Sequence, residues 1–472
     1  MENNPFLSFE SITVNEPIIE KNKTSTTIEI DPISTEKTEF ILRLTYQTTI
    51  DSQYLPLLRL AFTIPLLNYG LFSEKFILQF PITKTDINLL EKMNFIFSRD
   101  IYVNKILRRR TNYILPEYLK NLDKKYANPE TIIKPTTIIK NNSLSSSLNS
   151  NACGVLSSGG KESLLTYGLL KEIGAIVHPL YITESGGHWR TALTAYRYHQ
   201  ENDTNTQRVW TNIDRFYTYM LDQLPFIRSD HRSMRADTYP IRLCIFPFYI
   251  FSLLPLFLKY EIGNLLIGSE FDDVREPPVF QGIPHYYGVY DQHQDFDLLM
   301  NSWYAKRTPG LHQWSALRQI SGLIVERVLV KRYPKLAALQ RSCHSCHIID
   351  DEIIPCGICS KCQGVLLFLK ANQAQPTLMN FPKEIVAKFE KEINLKTLRL
   401  DEDEKNHSLY LISPKIFDAA KYNAHIETRH IDPTISNTSL IPLQFQAKNI
   451  KILEQYTTGV SFLEKGQWIT KN

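Results

Sequence analysis

Apolar and polar residues alternate with the period of a half-buried strand at Phe40-Leu42-Leu44-Tyr46 and at Phe76-Leu78-Phe80, whereas Ile87 to Phe97 repeats its apolar positions at helical spacing. These signals predict an α+β region over residues 1–140, read as a separate N-terminal domain. A Ser/Asn-rich stretch over 141–151 holds too little apolar surface to order itself and reads as a linker. After it, strand-like runs occur at Cys153-Gly154-Val155-Leu156, at Ala175 to Ile182, at Arg208-Val209-Trp210 and at Leu265-Leu266-Ile267-Gly268. Helix-like runs at Leu164 to Leu170 and Trp189 to Gln200 fall between the earlier ones. This alternation predicts an α/β fold over 152–375, a parallel sheet with helices on both faces. Ligands of such sheets bind beyond the carboxyl ends of the strands, where the loops at Ser157, Thr183 and Ser269 emerge. Beyond about Pro376 the pattern is lost, which leaves a C-terminal extension, 376–472.

One apolar segment, Leu243 to Leu258, carries Pro247 and Pro255 and is shorter than the roughly 18 residues of a membrane span. It predicts a buried helix and no membrane contact. The chain has 472 residues, enough for two or three domains. Its net charge of +4 supplies no global electrostatic reason to bind nucleic acid. Met1-Glu2-Asn3-Asn4-Pro5 lacks a basic region followed by an apolar one, so no secretory signal is expected and the protein is placed in the cytoplasm.

The densest chemistry lies at Ser157-Ser158-Gly159-Gly160-Lys161-Glu162-Ser163, between a predicted strand and a predicted helix. Glycines let successive backbone N–H groups point into one concavity, the helix N-terminus adds partial positive charge, and Ser and Lys add donors. Phosphate binding is the expected result. The spacing is not that of a Walker A loop, because Gly160 follows Gly159 and Glu162 follows Lys161.

Five of the seven cysteines lie between Cys343 and Cys362, with the spacing C-x12-C-x2-C-x2-C and an extra Cys346. Thiolates two residues apart reach one tetrahedral ion, so Cys343, Cys356, Cys359 and Cys362 are the expected ligands of a structural Zn²⁺. Cys346, His344 or His347 are alternatives to Cys343. Clustered thiols of this kind suit metal ligation in a reducing compartment better than a disulfide framework. Cys153 and Cys244 sit in apolar segments and read as core thiols.

The Ser-Gly-Gly segment resembles the S-G-G-x-D-S signature of the PP-loop ATP pyrophosphatases, with Glu162 in the place of the usual Asp. Followed by Pro355-Cys356-Gly357-Ile358-Cys359-Ser360-Lys361-Cys362, it is similar to the 7-cyano-7-deazaguanine synthase family over roughly residues 152–372. Other segments match in order: Thr183 to His188, Tyr239-Pro240-Ile241-Arg242, and Gly268-Ser269-Glu270-Phe271-Asp272. The resemblance implies a core of the PP-loop type that binds ATP and Mg²⁺, with the zinc-bearing cluster at its end. ATP is then cleaved to AMP and pyrophosphate. It makes Lys161, Ser163 and Asp272 the candidate catalytic residues. Ser157, Ser158, Gly159, Gly160, Lys161, Glu162, Ser163, Glu184, His188 and Arg242 are the candidate nucleotide-binding set. Where the family reads Y-P-D-C-R-x-E-F, this chain has Tyr290 to Phe296, and no lysine occurs in Ala316 to Gly322. These departures imply an altered substrate. His285, Tyr286, Tyr290, Asp291 and His293, in the long segment 274–295, are the specificity candidates.

The expected activity is ATP- and Mg²⁺-dependent adenylation of a carboxylate or amide-type oxygen, followed by transfer of the activated carbon to a nitrogen nucleophile. A variant attaches the deazaguanine carboxylate to another molecule or to a protein, as in anti-phage relatives of the synthase. The alternatives are a nucleotide-binding regulator with an inert site and a zinc-bearing nucleic-acid module, the last disfavoured by the near-neutral charge. The flanks are long enough to hold a partner, whether a second copy of the chain, another protein or a macromolecular substrate.

Overall fold

The computed structural model describes residues 4–471 apart from 109–112, 121, 145–146, 185–187, 234–240, 242, 272–278, 344–345, 392, 394–397 and 416, and it leaves the side chains of His188 and Glu390 undescribed. Its centre is a sheet of 11 strands. Reading across it, His312–Trp314, Ile262–Leu266, Asn149–Ser157, Ile176–Thr183 and Gln207–Thr211 run parallel. Ile262–Leu266 is buried along its whole length and Cys153 to Val155 likewise, as parallel strands covered on both faces must be. Successive side chains divide between two cores: Leu265 packs on one face and Leu266 on the other, Ala152 on one and Cys153 on the other.

The sheet does not stop at the expected domain boundary. Thr38–Tyr46 pairs antiparallel with Gln207–Thr211, Val209 standing opposite Tyr46. Lys23–Pro32, Phe9–Val14, Lys75–Leu78 and Ile132–Pro135 continue outward from it. Residues 1–140 therefore do not form the separate domain that the polar linker suggested. Their apolar faces share one core with Phe248, Leu254 and Leu265. The tie is also polar: Tyr46 OH donates to Ser252 O at 2.8 Å, and buried Asp86 accepts from Trp303 Nε1 (2.8 Å) and Arg307 Nε (3.0 Å). The last residues of the Ser/Asn-rich stretch already belong to the strand that begins at Asn149.

The apolar segment around Leu243–Leu258 is a helix, Phe246–Lys259, laid across the sheet. Gly154 makes room for it, since a Cβ there would lie 2.4 Å from the Phe257 ring. On the opposite face lie the helices Lys161–Ile173 and Gly322–Arg332. The C-terminal extension completes that second core with Phe389, Leu409, Phe445 and Leu453, and the Phe445 ring stacks on Trp314 at 5.7 Å. It adds a three-stranded sheet of Arg429–His430, Val460–Glu464 and Gln467–Lys471.

Candidate functional site

The strand Asn149–Ser157 leaves the sheet at its carboxyl end, turns through Ser158-Gly159-Gly160 and enters the helix at Lys161. Gly159 has φ +76°, a left-handed conformation, and a Cβ on it would stand 2.8 Å from Thr191 O in the helix His188–Asn202. Ser163 closes the bend, because its Oγ donates to Gly160 O (3.1 Å) and accepts from the Ser158 N–H (3.4 Å). Gly160, at the capping position, has no side chain to cap the helix, and the Glu162 carboxylate turns back to its own N–H, so the helix start adjoins the hollow of the bend with that one N–H already engaged. Ser157 Oγ turns back to Val155 O at 3.1 Å.

Lys161 is buried, and its ammonium bridges Glu162 and Glu270, 2.5 Å from Glu270 Oε2. Burial works against that charge, but the two carboxylates outweigh it and raise the lysine pKa above its ordinary value. The Glu162 carboxyl is also penalised by burial, yet Lys161 draws it below its usual range. Glu270 goes the other way: burial and the repulsion of Glu162 and Glu404 raise it despite Lys161. Glu270 reaches the bend because Gly268 has no side chain, and a Cβ on Gly268 would lie 2.7 Å from Glu162 Cβ. Behind them, fully buried Glu326 accepts from Gln340 Nε2 at 3.2 Å, and burial pushes its pKa up to about 7.

A cavity of about 480 Å³ opens beyond the carboxyl ends of Asn149–Ser157, Ile176–Thr183 and Ile262–Leu266. Strand order reverses between the first and last of these, which is where open α/β sheets bind ligands. One end is apolar and aromatic, with Leu180, Ile182, Trp189, Phe246 and Leu253. There Tyr249 OH donates to Glu184 Oε1 at 2.5 Å. A second chamber of about 290 Å³ adjoins the first and runs from Gly160 and Lys161 to Cys343.

Of the residues predicted from sequence, Ser157, Ser158, Glu162, Ser163 and Glu184 line the first chamber, Gly160 and Lys161 the second, and Gly159 shapes the bend between. Arg242, Asp272 and the side chain of His188 lie outside the described residues. The described wall of the first cavity contains Gln292 but none of His285, Tyr286, Tyr290, Asp291 and His293. These five instead fasten their own segment. Asp291 accepts from the Phe246 N–H (3.0 Å) and so fixes the start of the helix that brings Phe246 and Tyr249 into the cavity. Tyr286 donates its N–H to Asp100 (2.6 Å) and its hydroxyl to Asp295 (2.8 Å), the His285 ring accepts from the Tyr287 N–H (2.9 Å), and the His293 ring accepts from the Asp295 N–H (3.4 Å). Tyr290 is buried between the Phe97, Tyr286 and Phe296 rings. Sequence reasoning passed over Trp189, Phe246, Tyr249, Glu270, Gln292 and Lys361 as cavity residues. Only Glu270 carried a local signal, its place in the Gly268–Asp272 match.

The ligand atoms of Cys343, Cys356, Cys359 and Cys362 lie within 4.8 Å of one another. The 3.9 Å between the Cys356 and Cys362 sulfurs fits the edge of about 3.8 Å that Zn–S bonds of about 2.3 Å give a tetrahedron. Backbone N–H groups of Cys356 and Cys362 point at Cys343 Sγ (3.3 Å) and Cys359 Sγ (3.5 Å), the arrangement that stabilises bound thiolates. Gly357, at φ +71°, makes the turn between Cys356 and Cys359. The cluster can hold a zinc ion with all four positions filled by sulfur, which suits structure and leaves no place for a reacting water. Cys346 is buried beside Cys343 but stands outside the set of four.

Among the described residues no helix is long and apolar enough to cross a membrane. No family model matches the chain, and no curated protein or solved structure matches it.

Proposed function

We propose that this chain is an ATP- and Mg²⁺-dependent enzyme of the PP-loop type that activates a carboxylate or amide-type oxygen by adenylation and passes the activated carbon to a nitrogen nucleophile. The observation that carries the reading is the cavity at the reversal of strand order, where the start of a helix and a Ser-Gly-Gly bend stand between an aromatic chamber and a second, more polar one. Bound ATP would supply the adenylyl group, with pyrophosphate as the leaving group. The N–H groups at the start of the helix, Ser158 and Lys161 would hold the phosphates and oppose the charge that develops on them. Trp189 and Phe246 wall the apolar end and exclude water, and the Tyr249–Glu184 pair offers a fixed acceptor to a polar group lodged there. Glu162 and Glu270 stand at the junction of the chambers, where a hard divalent cation would take one or two carboxylates. The nucleophile belongs to a small molecule or to a macromolecule, and cysteine thiolates that hold zinc point to a reducing compartment such as the cytoplasm.

Incubation with ATP, Mg²⁺, a panel of carboxylates and ammonia should release pyrophosphate on adenylation and AMP on transfer to nitrogen, and release of ADP and phosphate would overturn the reading. The ion pair that holds Lys161 away from open solvent favours a second reading, a nucleotide-binding regulator. ATP bound without any cleavage at the α-phosphate would select it.

A further inference from the structure

The two chambers share a wall of Ser158, Glu162, Thr191, Glu270 and Lys361, yet their far ends differ in chemistry. The first ends in apolar and aromatic side chains. The second is bordered by Arg341, Lys361 and Arg399, with the start of the helix Ser360–Ala371 turned toward it through Ser360 and Gly364. Arg341 is held by the carbonyls of Ile353 (2.7 Å), Ala338 (2.9 Å) and Gln340 (2.8 Å), which fix the guanidinium in the wall without cancelling its charge. A ligand that fits both ends is aromatic at one and polyanionic at the other, with a cation at the acidic junction.

Lys361 lines both chambers and stands between two of the four clustered cysteines. Cys359 caps its helix by accepting from the Cys362 N–H. With Cys359 and Cys362 on one ion, the turn between them is locked and the lysine stem starts from a fixed point. A lysine on a loose loop would lose far more freedom on gripping a ligand.

We propose that the second chamber receives the pyrophosphate end of the nucleoside triphosphate, and that Lys361 binds it there, so that a metal ion in the cysteine cluster sets nucleotide affinity from outside the glycine bend. This rests on the ATP reading above and adds to it a phosphate-binding residue carried by the cysteine cluster. Titration calorimetry of the full chain with ATP, with AMP and with pyrophosphate, each with Mg²⁺, tests it without any second substrate. Lys361→Gln should weaken ATP and pyrophosphate by about tenfold, as loss of one charged hydrogen bond does, and leave AMP unchanged. Lys361→Arg should recover most of the loss, and metal analysis should find the zinc content of both variants equal to that of the unmodified chain. Stripping the zinc should weaken pyrophosphate as Lys361→Gln does. If Lys361→Gln binds ATP and pyrophosphate as the unmodified chain does, with zinc retained, the assignment of Lys361 is overturned while the ATP reading stands. A chain that binds neither ATP nor pyrophosphate overturns both. Pyrophosphate bound through Lys361 with no AMP formed from ATP upholds the chamber and removes the chemistry.

Discussion

Lys161 Nζ lies 2.5 Å from Glu270 Oε2, and the two residues come from opposite sides of the strand-order reversal. The contact ties the start of the helix after the glycine bend to the end of the strand Ile262–Leu266. It also determines what a ligand must do on arrival. On the ATP reading, phosphates that drew the ammonium to themselves would release Glu162 and Glu270 together, and those carboxylates would then stand open to a cation.

Removing the ammonium should therefore destabilise the protein before any question of catalysis. Lys161→Met leaves Glu162 and Glu270 side by side without their counter-charge, at a cost of about 3 kcal/mol. Adding Glu270→Gln to that variant should restore about half of the loss. Urea unfolding of the two variants measures this, and a single variant as stable as the parent would contradict it.

Glu326 gives the pH dependence a definite sign. Burial lifts its carboxyl from 4.5 to about 7 in the folded chain, so the folded state holds the proton that the unfolded state releases. Its contribution is complete below pH 4.5 and is lost as pH rises toward 7, to the extent of about 3 kcal/mol. Asp100, also pushed up to about 7 by burial, adds in the same direction. Glu326→Gln should flatten this part of the stability profile and leave the variant more stable than the parent at pH 8.

What could be read from the sequence was local. The bend at Gly159-Gly160, the spacing of Cys356, Cys359 and Cys362, and the strand and helix periods each involve neighbours along the chain. The pairing of Thr38–Tyr46 with Gln207–Thr211 joins residues far apart in the chain, with other strands of the same sheet between them, and nothing in either segment names its partner. The same holds for the cavity wall. Tyr249 and Gln292 looked like a core residue and a loop residue, because their shared surface exists only once Asp291 has fixed the start of the helix at Phe246. The polar stretch over 141–151 misled in the opposite way: its composition is that of a linker, but strand pairing claims its last residues.

The joined sheet makes a prediction about fragments. A chain beginning at residue 141 would lose the strand opposite Gln207–Thr211 and the apolar side chains, Leu44 and Tyr46 among them, that share its core. It should lack a cooperative thermal transition, whereas a separate core domain would melt sharply without the first 140 residues. Within the full chain, Asp86→Ala should cost about 3–5 kcal/mol, because buried Arg307 then loses its carboxylate and keeps only the neutral oxygens of Asn142.

The geometry of the cysteine cluster separates four cysteines from the fifth. Metal analysis should find one zinc per chain, bound through Cys343, Cys356, Cys359 and Cys362. Cys356→Ser should lose the ion and lower the melting temperature, since binding a structural ion is itself folding free energy. Cys346→Ser should keep the ion. Loss of zinc in Cys346→Ser with retention in Cys343→Ser would reverse the ligand assignment.

Gly268 is where the strand end meets the helix start, so a single methyl group there tests the whole arrangement. A Cβ would lie 2.7 Å from Glu162 Cβ and 3.0 Å from the Glu162 carbonyl carbon. The second of these atoms is backbone and cannot move without shifting the first turn of the helix Lys161–Ile173. Gly268→Ala should thus displace the N–H groups that face the bend, at a stability cost of about 1–3 kcal/mol, typical of overpacking. A chain that remains folded should still weaken for ATP by about tenfold or more, because displaced donors no longer converge on one anion. Thermal unfolding separates the first effect and calorimetry with ATP the second. An alanine variant that is folded and binds ATP as the parent does would show that the nucleotide does not depend on this contact.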